Sequence, residues 1–196
     1  MDQAWFCKNA AGTKKLEFLE WAREVKQCEW DERTINAGAF EGNLEILKYC
    51  FSNGCPCDEE ESCARAAAGG HLDCLRFLFD KVKPSRDTEE EAAIQATADG
   101  QLGIVKYFVE ERKIADAVKP LCVATAAGYG YLDCLKYLIE EARAPLDLWS
   151  YIAWARYREH HECENYLLEK ECPEPTEEQY AKFVEEKKRE ELGIQA

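Results

Sequence analysis

A twelve-residue pattern constrains this chain more than any other feature, because it is written twice. GHLDCLRFLFDK occupies residues 70–81 and GYLDCLKYLIEE residues 130–141. Alignment on their leucine gives Leu16, Leu44, Leu72, Leu102 and Leu132, with His161 in the sixth place, at spacings of 28, 28, 30, 30 and 29 residues. Five positions after each anchor stands an aromatic residue: Trp21, Tyr49, Phe77, Tyr107, Tyr137 and Tyr166. Two positions before it, the middle four repeats carry Gly42, Gly70, Gly100 and Gly130, whereas the end repeats have Lys14 and Glu159. A fixed period of this length means an array of one supersecondary unit, each copy burying its apolar face only against its neighbours.

Within one period the glycine separates two helical segments. Upstream of it, small residues recur in pairs, Ala10/Ala11, Gly38/Ala39, Ala66/Ala67, Ala96/Thr97 and Ala126/Ala127, giving way to Ala155/Arg156 in the sixth repeat. Small side chains let neighbouring helices approach closely. Asp31, Asp58, Asp87 and Asp147 read as N-caps of the next helix, accepting bonds from its unpaired amides. Pro56, Pro84, Pro120, Pro145 and Pro173 read as connection residues, where a missing amide costs nothing. The expected architecture is all-α: six helix-turn-helix repeats forming a solenoid over residues 1–175, then a C-terminal capping helix and acidic tail over 176–196. Thr176 and Gln179 are spaced as a capping box, with Tyr180, Phe183 and Val184 on one face to close the sixth repeat.

The phrases GHLDCLRFL, EGNLEILKYC, NGCPCDEE and EWDERT resemble the ankyrin repeats found in long arrays in algae, oomycetes and giant DNA viruses, over roughly residues 4–172. The period is shorter than the about 33 residues usual for that class. Its TPLH start is reduced to Thr34 or Ser62, so tight turns are expected in place of projecting β-hairpins. The tetratricopeptide type has a longer unit with two helices of similar length, and it fits less well. The resemblance implies a stack of helix pairs that binds protein through its concave face, without catalysis.

The remaining chemistry is absorbed by the repeat. Cys50, Cys55, Cys57 and Cys63 with His71 have the look of a zinc set. In the alignment, however, Cys50 and Cys63 fall in apolar columns, Cys55 shares one with Cys28 and Cys172, and Cys74, Cys134 and Cys163 share one with Phe18, Ile46 and Ile104. A free cysteine there acts as a small hydrophobe. Only Cys57 lacks a packing reason, and it is expected to be the most reactive of the cluster. His160, His161, Glu162 and Cys163 are adjacent on a helix and do not face one another, so no catalytic residues, metal or cofactor are assigned. Eleven cysteines without a secretory signal in MDQAWFCKNAAG indicate reduced thiols in an intracellular compartment, cytoplasmic or inside an organelle. A net charge of −14 disfavours nucleic acid and anionic lipid. No apolar run is long enough for direct membrane insertion.

Recognition in a repeat protein belongs where repeats disagree while the scaffold agrees. On one face of the first helices, at steps of four, lie Trp5, Arg33, Glu61, Arg65, Glu91, Gln95, Asp99, Thr125, Tyr129, Trp154 and Arg158. That mixture of aromatic, cationic and acidic side chains suits a protein partner. Ordinary solvated surface is the plainer explanation. By contrast Lys48, Arg76, Lys106 and Lys136 repeat one charge in one column, expected on the convex face as solvated positions beside the core. Two roles fit: an interaction module recruiting a protein partner, or a permanent structural subunit of a multiprotein complex.

Overall fold

A computed structural model describes residues 3–116 and 118–193, and all regular structure among them is helical. Of the stretches read above, residues 1–2 of the N-terminus and 194–196 of the acidic tail lie outside the described residues. The chain divides into two compact units, Met1–Ile114 and Ala115–Ala196. In the first unit the helices are α1 (Gln3–Gly12), α2 (Leu16–Glu20), α3 (Glu32–Phe40), α4 (Leu44–Ser52), α5 (Glu59–Ala68), α6 (Leu72–Val82), α7 (Arg86–Ala98) and α8 (Leu102–Tyr107). In the second they are α9 (Lys119–Tyr129), α10 (Leu132–Glu140), α11 (Ser150–Tyr157), α12 (His161–Glu169) and α13 (Glu177–Glu191). Wider π-helical turns continue α2 through Trp21–Val25 and α8 through Phe108–Arg112. The sequence period runs unaltered across the division.

Each anchor opens the second helix of its pair, and first helices pack on first helices: α3 lies between α1 and α5, α5 touches α7, and α9 touches α11. The small-residue column makes this approach possible, since Ala11, Ala39, Ala66, Ala67, Ala96, Ala126 and Ala155 are fully buried. The anchors themselves are half-buried, and His161 is exposed. The second helices instead bury the residues three and six places later: Leu19, Leu47, Leu75 and Leu135 at the first, Leu78, Phe108, Leu138 and Leu167 at the second. The sixth repeat replaces the apolar pair. Arg156 stands in the alanine column and Glu164 in the leucine column, and they form an ion pair at 2.7 Å.

Two left-handed residues close each repeat. The first is the predicted glycine turn, with φ of +73° at Gly42 and +75° at Gly70; Lys14 and Glu159 adopt the same conformation at φ of +63° and +61°. Glycine is needed at Gly42 for a second reason, because a Cβ there would stand 2.3 Å from the ring of His71. The second closure ends the second helix, at Gln27, Gly54, Lys83, Lys113, Arg143 and Glu171. The amide after it commonly returns to the carbonyl six places past the anchor, as Cys28 does to Ala22 at 3.0 Å and Cys172 to Leu167 at 3.1 Å. This is the usual way of satisfying terminal carbonyls.

Neighbouring repeats are also tied by polar side chains just before the anchor. Asn43 Nδ2 donates to the Lys14 carbonyl at 2.7 Å, and Gln101 Nε2 donates to that of Ala68 at 2.9 Å. The aromatic column adds a second tie. Tyr49 and Tyr166 donate to Glu24 and Glu140, which hold one position in the preceding repeat, at 3.3 and 3.0 Å. Arg76 lies over the Tyr107 ring at 4.7 Å and Lys136 over Tyr166 at 5.7 Å. The basic column is therefore more than solvated surface: in these repeats it holds the next ring by a cation–π contact.

Several local expectations need correction. Asp31 and Asp58 cap as expected, at 3.1 and 3.0 Å from the amides of Arg33 and Glu61. Asp87 does not, because Ser85 upstream takes the cap by accepting from the Thr88 amide. Asp147 does not either: α11 starts later, after Trp149, without a side-chain cap. Pro120 lies inside the first turn of α9, where its missing amide would have had no partner. Of the aromatic column, Trp21 faces outward at 42% exposure. At the C-terminus, Thr176 and Gln179 form the capping box, and Phe183 is buried against Trp149, Trp154 and Tyr157 at ring distances of 5.1–6.3 Å.

Candidate protein interface

In the first unit, the first helices α1, α3 and α5 flank a groove of about 340 Å³ that brings together Arg33, Glu61 and Arg65 from the predicted face. Asn9, Ala37 and Glu41, from the same variable columns, also line it, and Lys8, Asn36 and Phe40 are walls that those columns do not contain. Phe40 is 45% exposed in a column otherwise filled by Gly12, Ala68, Ala98 and Gly128 among repeats one to five. A large apolar residue in a small-residue column was the available signal. The charges are partly spent on one another: Arg33 pairs with Asp31 at 2.7 Å and Arg65 with Glu61 at 2.7 Å. On α7, Gln95 donates to Asp99 at 2.6 Å and Glu91 is exposed, but these three do not line the groove. Trp5 belongs elsewhere too, to an apolar groove on the outer side of α1 and α2.

In the second unit, Thr125, Tyr129, Trp154 and Arg158 do converge. Together with Leu121, Ala124 and Gly128 they line a groove of about 230 Å³ between α9 and α11. Small residues make it: Gly128 faces the Trp154 ring, which a Cβ there would meet at 3.5 Å. Tyr129 and Leu121 are 53% and 54% exposed, and Arg158 lies 5.9 Å from the Tyr129 ring centre. Trp154 is not free surface as expected. Its other side is taken by Phe183 at 5.1 Å and by Lys187 at 5.0 Å, so the terminal helix holds it in place as one wall.

All eleven cysteines are free thiols. Cys55 and Cys172, one repeat column, donate to the carbonyls of Asp31 and Leu148 at 3.4 and 3.6 Å, each 24 residues upstream. They act as weak donors as well as core filling. Burial pushes Cys7, Cys74, Cys134, Cys163 and Cys172 up to about 11 and Cys63 to about 12. Cys57 is half-buried, with its sulfur 3.4 Å from Ser62 Oγ, and burial raises its pKa too. Among the described residues, no three His, Cys, Asp or Glu side chains are grouped to hold a metal ion. His71 stands against Gly42 and His160 against Gly130 as turn packing. No described helix is long and apolar enough to cross a membrane. No known family profile matches the chain, and no curated protein is detectably similar to it in sequence.

Proposed function

We propose that the chain is an ankyrin-like helical-repeat module without catalytic activity, and that it binds a protein partner through the exposed face of its first helices. The observation that carries this reading is the groove of Leu121, Thr125, Tyr129, Trp154 and Arg158. Its walls come from columns that change identity between repeats, whereas the buried columns beside them stay small or apolar. An exposed tyrosine and leucine beside an arginine, on rigid helices, have the composition of an interface centre. Arg76 and Lys136 of the basic column, by comparison, each lie over an aromatic ring of the next repeat.

A photo-crosslinking residue at position 125 is expected to trap one protein in stoichiometric amount in the native source. The same residue at position 136, in the basic column, is expected to trap none. Crosslinks of equal yield from both positions, or from 136 alone, would remove the assignment of the site to the first-helix face.

A further inference from the structure

The first-helix face carries three arginines, and they differ in what neutralises them. Arg33 and Arg65 pair with Asp31 and Glu61 of their own repeats, at 2.7 Å each, and the groove they line also has Glu41 in its walls. Arg158 has no carboxylate partner among the described residues. Neither Glu159, next to it in sequence, nor Glu191, which lies near Tyr157, is within ion-pair distance of it. Its guanidinium is exposed and lies 5.9 Å from the Tyr129 ring centre. In the groove between α9 and α11 it is the single charged side chain among those lining the walls, and the others are apolar, aromatic or hydroxylated.

We propose that this groove takes a peptide segment of the protein partner that carries one Asp or Glu beside a large apolar side chain. The carboxylate seats on Arg158 and the apolar group against Leu121, Tyr129 and Trp154. The inference rests on the first-helix face being the site, and adds what the partner presents to it. A guanidinium left without an acid holds a carboxylate through two parallel charge-assisted hydrogen bonds. One guanidinium matches one negative charge, whereas phosphorylated motifs are held by clusters of arginine. The neighbouring cation, Lys187 over the Trp154 ring, is already paired with Glu190 at 2.7 Å. The chain's net charge of −14 repels a strongly acidic partner, so the segment has a single carboxylate and not a run of them. Leu121 and Tyr129, both more than half exposed, supply the apolar area for the side chain beside it.

A displayed library of random linear peptides, selected on the purified chain, tests this. The enriched peptides are expected to share one Asp or Glu next to an aromatic or large aliphatic residue. A synthetic peptide of that sequence should bind Arg158→Gln about 10-fold more weakly than the parent chain, or worse, through loss of one charged, hydrogen-bonded pair. Arg158→Glu should recover part of the binding when the acidic residue of the peptide is changed to Lys. Arg158 is exposed, so circular dichroism should show both variants folded. Peptides that share no acidic residue, or that bind Arg158→Gln as tightly as the parent chain, overturn the proposal. If Tyr129→Ala still abolishes their binding, the first-helix reading stands without it; if Tyr129→Ala has no effect either, that reading falls too. Tighter binding of the same peptide with phosphoserine at the acidic position, or a selection that enriches no peptide, overturns the proposal as well.

Discussion

Raising the pH above 9 is expected to unfold the protein cooperatively before its thiols titrate in the native state. Cys7, Cys63, Cys74, Cys134, Cys163 and Cys172 are raised by burial from an ordinary value of 9.0 to about 11 or 12. In the unfolded chain these thiols lose their protons from pH 9; in the folded chain they hold them to pH 11. The folded state thus binds more protons through that window, and stability falls as the pH rises. The stabilisation is fully present below pH 9 and lost as the pH passes through the folded values. Each thiol contributes up to about 1.4 kcal/mol per pH unit, so six together can exceed a typical stability of about 5–15 kcal/mol. Helical circular dichroism and thiolate absorbance followed together should change at the same pH. Thiolate absorbance that rises while the helical signal persists would show the thiols to be accessible in the fold.

The next largest effect is expected at Glu89. Its side chain is buried in α7 and pairs with Arg112, at the end of the fourth repeat, and with Arg86 at 3.5 Å. Arg86 also donates to the carbonyls of Arg112, at 3.0 Å, and Lys113, closing that π-helical turn. Replacing both arginines with alanine strands a carboxylate away from water, which costs about 3 to 5 kcal/mol. Adding Glu89→Leu should recover part of that loss, because the penalty lies in the unpaired charge and not in the missing bonds. Urea unfolding of the double and triple variants measures it. A double variant within about 1 kcal/mol of the parent chain would mean that water reaches Glu89.

What the sequence revealed best was what each repeat states locally. The anchor leucine, the glycine turn and the Thr176 capping box are short-range signals, and the helices start where those signals put them. The second left-handed closure was invisible because its residues, such as Gln27, Lys83 and Arg143, carry side chains that signal no such conformation. The Arg156–Glu164 pair showed only as two departures from separate columns, and its meaning needed the two to be in contact. The predicted face was legible as a set of variable columns. Its partition was not: sequence steps of four place Trp5, Arg33 and Tyr129 alike, whereas packing sends them to three different grooves. Trp154 was read as surface because nothing in its own repeat says that Phe183 will lie against it.

The most direct measurement is the affinity of the trapped partner for two single variants of the second unit. Tyr129→Ala removes a half-exposed ring from the groove, and Lys136→Glu reverses a charge in the basic column. If the first-helix face is the site, Tyr129→Ala weakens binding by about 2 kcal/mol or more, with the fold unchanged. Lys136→Glu then alters mainly the salt dependence and the rate of association. Unchanged affinity for Tyr129→Ala, together with loss of binding in a folded Lys136→Glu, would contradict the reading and move the site to the basic column.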